Sequence, residues 1–250
     1  MSVILDEYTQ AEKIIETGDV GIKPTSTLFL LSKYYRQKYL LNKDETAIKL
    51  NEFMKDNYKN YNAALWEDII DDISKKGIKY PLKKIPFIGI TQMEIDTLNS
   101  VTGLKYQKLL FVILCHAKYH NTLSESNNDW SNIGIPEIYK LARVTVKHRN
   151  DKFLYLNDLE KNGYISFSNK NDNLNLRCNF VDESDDYVLK IDDFRELGYE
   201  YLNFIGEGNF IRCNCCNKIV RKTNNKCLYC NDCAKKVKNE QNKVYYKNKI

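Results

Sequence analysis

The sequence predicts a mainly α-helical protein, with a helical N-terminal region, a small α/β unit in the middle and a compact cysteine-rich module at the C-terminus. Glycine and proline are scarce, at 10 and 4 residues of 250, so few turns are available for a many-stranded sandwich. Apolar residues recur at helical spacing over most of the chain. Six of the eight cysteines fall within residues 213–233, which sets this segment apart from the rest.

Residues 1–84 are predicted to form an N-terminal helical domain. One helix follows Pro24 and the capping cluster 25–27. A later helix carries an apolar stripe that we interpret as core, formed by Leu65, Trp66, Ile69, Ile70 and Ile73. Its acidic residues are expected on a solvated face rather than in a two-metal nuclease site; they are Glu67, Asp68, Asp71 and Asp72.

Residues 85–182 are predicted to form a winged-helix-like α/β domain. Helices are expected over 104–120, 137–142 and 146–162, followed by a hairpin whose alternating strands, 164–168 and 174–180, flank a polar turn. Three helices and a hairpin follow one another in the order of a winged helix, and the tight turn before the third helix suits a helix-turn-helix unit. Winged helices also serve as protein-docking modules, so the fold alone does not decide the function.

The start of the third helix is the first candidate nucleic-acid surface. It carries cationic and hydrogen-bonding side chains of the kind that reach phosphates and base edges, namely Thr145, Lys147, His148, Arg149 and Lys152. Lys170 at the hairpin tip is expected to touch a groove as part of the wing. Phe153, Leu156 and Leu159 are expected to pack against the other helices.

Residues 183–211 are interpreted as a connector, which begins within the acidic run 182–186. Residues 212–250 are predicted to form a four-cysteine module with a basic tail. That segment holds eleven Lys and Arg against two acidic residues, a charge of +9, which leaves 5 − 9 = −4 for the other 211 residues. So uneven a charge distribution indicates a polyanionic partner, DNA or RNA above all. The candidate contacts are Arg221, Lys222, Lys235, Lys236 and Lys238.

The cysteine spacing predicts a structural zinc site. Cys213-x2-Cys216 and Cys230-x2-Cys233 are two knuckles separated by 13 residues, close to the pattern of a zinc ribbon. The competing register uses Cys227 and Cys230. We prefer Cys233 because a helix is expected to begin beside it, where thiolate is favoured. Asn217 follows the first knuckle, where positive φ is commonly needed. Cys215 and Cys227 then remain spare thiols or alternative ligands.

Several classes of protein are excluded as interpretations. The apolar runs are too short for a membrane-spanning helix and the N-terminus lacks a basic signal region, so we expect a cytoplasmic protein with no membrane partner. No phosphate-binding loop, HExxH or GxSxG motif is present, and nothing argues for an enzyme. His116 and His120 lie four residues apart but lack a third ligand, so a polar helix face is the preferred interpretation.

Several segments resemble an uncharacterised family found in phages and mobile elements of Firmicutes. The resemblance covers nearly the whole chain and is carried by residues 30–35, 79–82, 90–94, 114–119, 192–199 and 229–234. In that family the second knuckle is similar to Tyr229-Cys230-x2-Cys233-Ala234, which implies that Cys230 and Cys233 are ligands, whereas Cys215 and Cys227 depart from the family pattern. Residues 28–75 are weakly similar to a helical domain that follows some phage and plasmid primases, although no primase active site is present.

Two hypotheses follow from the sequence. The first is a phage or mobile-element nucleic-acid-binding protein, an accessory factor in replication or transcription in the bacterial host cell, whose N-terminal helices bind a host or phage protein. The second is an adaptor or inhibitor that binds a host protein, such as a polymerase or a nuclease of a defence system. Retention on nucleic acid favours the first, and co-purification of a host protein favours the second.

Overall fold

The computed structural model describes residues 5–21, 23–148, 150–169 and 175–247, with the backbone alone for 243–247. Arg149, Lys170 and most of the hairpin turn therefore lie outside the described residues. The chain divides into two compact units, one within Ile4–Pro86 and the other within Phe87–Ile250. The prediction of a mainly helical protein with small sheets and a C-terminal cysteine cluster is confirmed.

The N-terminal unit is a bundle of four helices: α1 Glu7–Thr17, α2 Pro24–Tyr39, α3 Lys43–Asn57 and α4 Ala63–Gly77. Local chemistry sets the helix starts, since Pro24 occupies the first turn of α2 and Asn42 forms a capping box with Glu45 at the start of α3. Large side chains of α2, α3 and α4 fill the core, among them Leu28, Leu31, Tyr34, Leu50, Met54 and Ile70.

Helix α4 turns a different face to the core from the one that the stripe predicts. Ile70 and Ile73 are buried as expected, but Leu65 is 75% exposed and Ile69 is 38% exposed. Gly77 explains the orientation, because a Cβ there would lie 2.0 Å from Ser32 Oγ of α2, so the two helices approach closely on that side. The helix therefore rotates Leu65 and Ile69 toward solvent.

The second unit surrounds helix α6. Its elements in chain order are β1 Ile88–Thr91, α5 Gln92–Ser100, α6 Leu104–Leu123, α7 Ile135–Leu141, α8 Asp151–Lys161, β2 Ile165–Phe167, β3 Leu176–Cys178, β4 Tyr187–Ile191, α9 Leu197–Phe204, β5 Phe210–Arg212, β6 Ile219–Arg221 and α10 Asn231–Lys247. Every side chain over residues 109–117 of α6 is buried, so this helix is the centre of the core. No helix of the described chain is long and apolar enough to cross a membrane.

Residues 183–211, interpreted from the sequence as a connector, contain β4 and α9. Strand β4 pairs antiparallel with β1, with Ile191 opposite Ile88 and Leu189 opposite Ile90. Phe194, between β4 and α9, is fully buried, as are Leu197 and Tyr201 of α9. The segment is thus part of the folded core.

Helices α6, α7 and α8 are followed by the β2–β3 hairpin, in which Ile165 pairs with Cys178 and Phe167 with Leu176. A short bridge between Trp130 and Arg177 adds a third chain segment beside β3. Helix α8 begins at Asp151 rather than at residue 146. In the turn before it, the His148 backbone N–H donates to the Asp151 carboxylate at 3.1 Å.

Candidate metal centre and basic surface

The first knuckle is a tight turn at the end of β5. The Cys213 N–H donates to the Lys218 carbonyl at 3.0 Å, and the Asn217 N–H donates to the Cys213 carbonyl at 2.8 Å. Asn217 has φ of 58°, the left-handed conformation that its position after the knuckle predicts. These bonds bring Cys213 and Cys216 to the same side of the turn.

The second knuckle lies at the start of α10. Cys230 precedes the helix and Cys233 lies in its first turn, where the Ala234 N–H donates to the Cys230 carbonyl at 2.8 Å. The Cys233 N–H points at Cys230 Sγ, 3.5 Å away. Cys227 lies outside this group, with its thiol 3.9 Å from the Tyr229 carbonyl oxygen. The predicted register, with Cys230 and Cys233 together, is therefore the one that the fold assembles.

The four thiols are spaced for one metal ion. The Sγ atoms of Cys213, Cys216, Cys230 and Cys233 all lie within 4.8 Å of one another, and those of Cys216 and Cys230 are 3.8 Å apart. A tetrahedral metal with bonds to sulfur of about 2.3 Å requires sulfur–sulfur edges of about 3.8 Å. A disulfide would need about 2.05 Å, and all eight cysteines are free. The cluster thus fits a tetrahedral metal ion, and among the described residues it is the one group of this kind.

Backbone groups favour the thiolate form at one position of the cluster. Burial opposes ionisation of Cys213, but hydrogen bonds from the backbone around Cys230, Cys216 and Cys215 outweigh it and lower the pKa of Cys213 to about 6. Burial and the neighbouring thiol of Cys230 act the other way at Cys233 and raise its pKa. A bound cation removes this conflict because it stabilises all four thiolates together.

The cysteine module is attached to α9 by ion pairs that the sequence analysis missed. Arg212 forms a bidentate pair with Glu200, at 2.6 and 2.8 Å. Lys218 lies 3.4 Å from Glu196, which is also paired with Arg143. The sequence feature that could have indicated these ion pairs is the presence of two acidic residues, Glu196 and Glu200, four positions apart in a segment whose other residues are apolar. These contacts orient the first knuckle on the core.

Other residues on both sides of this contact contribute to the attachment. Arg195 is held by the Asp193 carboxylate and donates to the Cys216 carbonyl at 2.7 Å, so the core binds the knuckle backbone directly. Burial raises the pKa of Glu200 to about 7, although its pairing with Arg212 acts in the opposite direction. Ile219 of β6 is buried as well. The module therefore packs as part of the unit that contains α9.

The predicted basic residues of the module lie on its surface. Arg221 and Lys222 are exposed at the end of β6, and Lys235, Lys236 and Lys238 are exposed on α10. Within the described part of the chain, Arg221, Lys222, Lys235 and Lys238 have no carboxylate partner. Helix α10 is 17 residues long, and the side chains described on it, over residues 231–242, are all exposed or half-buried. Arg221, Lys222, Lys235 and Lys238 are therefore available to an anionic partner.

The candidate nucleic-acid contacts of the winged-helix-like region do not lie where the sequence predicts them. Thr145, Lys147 and His148 are exposed, but they lie in the turn before α8 and not on the helix. Lys152 is on α8, half-buried, with its ammonium 5.3 Å from the centre of the Tyr139 ring. The predicted cationic helix start is thus a loop, because the helix begins only at Asp151.

The outer face of α8 is partly apolar. Leu156 and Leu159 are buried as expected, whereas the prediction that Phe153 packs inside is wrong, since this ring is partly exposed. Leu154 is 61% exposed beside it.

The two histidines of α6 do not form a polar face. His116 is buried, with its ring 5.2 Å from that of Phe194 and 6.4 Å from that of His120. Its two ring nitrogens have no hydrogen-bond partner among the described residues. Burial lowers the pKa of His116 to about 3, with a further contribution from His120, so the ring is neutral in the fold.

Comparison of the chain with protein-family models, with curated proteins and with solved structures gave no match.

Proposed function

We propose that the chain is a zinc-stabilised nucleic-acid-binding protein rather than an enzyme, an accessory factor in the replication or transcription of a phage or mobile element. The observation that carries the proposal is a set of exposed cations on the cysteine module that have no carboxylate partner among the described residues: Arg221, Lys222, Lys235 and Lys238. Cations that are not neutralised within the protein gain most from phosphates, because each contact releases condensed counterions.

Zinc is the metal that best suits the cluster. Four thiolates in a closed tetrahedral shell are the ligand set of structural zinc, and such a shell leaves no position for a substrate. Cys213, Cys216, Cys230 and Cys233 would hold the ion, whose role is to fix the two knuckles and the start of α10. Eight free cysteines and a thiolate site are typical of a reducing compartment, which supports the bacterial cytoplasm as the location.

A winged-helix-like arrangement is supported by the order of α6, α7, α8 and the β2–β3 hairpin. The bridge between Trp130 and Arg177 supports it further, because a winged helix has a short strand between its first two helices that pairs with the hairpin. We propose that the exposed turn with Thr145, Lys147 and His148 adds contacts to those of the module.

The proposal is tested by a salt series of binding assays on duplex and single-stranded DNA and on RNA. Wild-type protein should be retained at about 50–100 mM salt and released as salt rises. The double variant R221E/K222E should lower the slope of log affinity against log salt by about two, one for each phosphate contact. Lys55→Glu, an exposed cation of α3, is the matched control and should leave the slope unchanged. Absence of retention on every nucleic acid would reject the proposal.

A second candidate function is an adaptor or inhibitor of a host protein, such as a polymerase or a defence-system nuclease. The exposure of large apolar side chains in the N-terminal unit favours it, since Leu40 is 86% exposed and Leu65 and Ile48 are also exposed. Capture of a specific host protein after nuclease treatment, lost in a Leu40→Ser variant, would support this candidate.

A further inference from the structure

A polar cavity lies beside the β2–β3 hairpin. Its volume is about 480 Å³, within the range of small-molecule sites. Trp130 lines it together with residues whose side chains are neutral amides and hydroxyls, namely Ser124, Ser126, Asn127, Asn132, Ser168 and Asn175. We refer to it as the Trp130 cavity.

The amides of the Trp130 cavity are held in place by one another. Asn127 Nδ2 donates to the Trp130 carbonyl at 2.8 Å, and Asn132 Nδ2 donates to Asn127 Oδ1 at 2.7 Å. Asn175 Nδ2 donates to Asn132 Oδ1 at 2.6 Å and so joins the hairpin to the loop. Each amide keeps a lone pair or a proton for a further bond. Polar groups locked in this way are preorganised for a ligand.

The backbone of the loop is also constrained. Asn128, Asp129 and Asn132 have φ of 50°, 65° and 48°, the left-handed conformation, which Asn and Asp adopt more readily than other residues except glycine. Pairing with β3 holds it, since the Ser131 N–H donates to the Leu176 carbonyl at 2.8 Å. This loop therefore presents Trp130 and its polar neighbours in a fixed arrangement.

The chemistry of the lining selects a neutral, planar and polar group. Among the described residues that line the cavity none is charged, so this part of the lining offers nothing to compensate a phosphate or a carboxylate. An indole stacks on a flat ring, and amides hydrogen-bond the edges of bases. We propose that the Trp130 cavity takes an unpaired nucleobase of the bound nucleic acid, with the phosphates remaining outside. This inference rests on the proposed function and specifies a single-stranded or locally unpaired substrate.

Fluorescence of Trp130 gives the most direct test. The chain has two tryptophans, and Trp66 lies on α4 in the other unit, so a Trp66→Phe protein reports on Trp130 alone. Oligo(dA) of about 12 nucleotides should quench this emission, and a blunt duplex of matched length should not. Adenosine monophosphate at the same base concentration distinguishes a free nucleotide from a strand as the source of the base, and we expect it to quench weakly.

Affinity measurements on variants provide the second readout. Trp130→Ala should weaken binding of oligo(dA) by roughly 10- to 100-fold and leave duplex binding unchanged, because stacking on an aromatic ring is lost only for an unpaired base. Trp130→Phe, which keeps an aromatic ring, should lose less than about tenfold. Equal binding of strand and duplex, without quenching of Trp130, would overturn the inference while leaving the proposed function intact. Failure to bind any nucleic acid would reject the proposed function and the inference with it.

Discussion

His116 is a titratable residue that is buried in the core. Its imidazole lies in the core beside Phe194, and its nitrogens have no hydrogen-bond partner among the described residues. A buried neutral imidazole costs the desolvation of its two nitrogens, and a charged one would cost far more. The folded state therefore keeps this ring neutral at pH values at which the unfolded chain protonates it.

His116 predicts acid sensitivity of the fold. The pKa of about 3 in the folded state lies below the unfolded value of 6.5, so stability is full above pH 6.5 and falls as pH decreases toward 3. Wild-type protein should lose about 2 kcal/mol of unfolding free energy through this group between pH 8 and pH 5. His116→Leu should lack this component, so the difference between the two proteins in urea unfolding at both pH values isolates it. Identical losses would contradict the prediction.

Cysteines inside and outside the four-thiol cluster are expected to differ in their effect on metal binding. Cys230 belongs to the cluster and is buried, whereas Cys215 is exposed and outside it. Cys230→Ser should reduce bound zinc to well below one ion per chain, because a hydroxyl is a poor substitute for a thiolate ligand. Cys215→Ser should keep one ion. Elemental analysis of protein purified without chelators measures both, and metal loss in Cys227→Ser with retention in Cys233→Ser would reject the ligand set.

At the scale of elements, α9 determines how the cysteine module is attached. Glu200 of this helix and Glu196, which directly precedes it, are buried and paired with cations of β5 and of the knuckle turn. Gly198 lies between them, where an added Cβ would be 2.3 Å from the Ala142 carbonyl oxygen at the end of α7. The close approach of these two helices thus depends on the absence of a side chain.

Gly198→Ala should destabilise the unit despite the better helix propensity of alanine. The clash is with backbone, which cannot rotate away, so a net cost of about 1–3 kcal/mol is expected. Gly134→Ala is the matched control, because the nearest atom to its Cβ is 3.9 Å away. Chemical unfolding of the two variants measures the difference. A variant at Gly198 as stable as the control would show that α7 and α9 can separate without cost.

At the scale of the whole molecule, the division into two units predicts which parts depend on the metal. The cysteine module belongs to the same unit as α6 and α9, and the helices α1–α4 form the other. Metal binding and folding are coupled in small thiolate modules. Loss of the ion should therefore destabilise the elements that pack on the module as well.

Removal of zinc by a chelator is expected to act on one unit. Hydrogen exchange should show faster exchange in β5, β6 and α9, whose contacts include the pair of Arg212 with Glu200, and unchanged protection in α2–α4. Exchange followed by mass spectrometry, with and without chelator, separates these segments by peptide. Equal loss of protection in α2–α4, or full protection of β5 and β6 without metal, would contradict the prediction.

The sequence by itself determined the features that depend on neighbouring residues. The CxxC spacing predicts the cluster, Asn217 takes the left-handed conformation expected after a knuckle, and Cys233 lies in the first turn of a helix as expected. The capping residues and apolar periodicity likewise indicate most of the helices, because helix formation depends on contacts within one or two turns.

Only the tertiary structure decided features that depend on distant segments. Strand β4 is stable because it pairs with β1, far from it in the chain, so residues 183–211 could not be recognised as core from their own pattern. The buried face of α4 is set by the approach of Gly77 to Ser32, and the burial of His116 by Phe194. The sequence shows which residues can be buried, but packing between elements selects the face that is buried, because that selection depends on backbone distances that no local pattern contains.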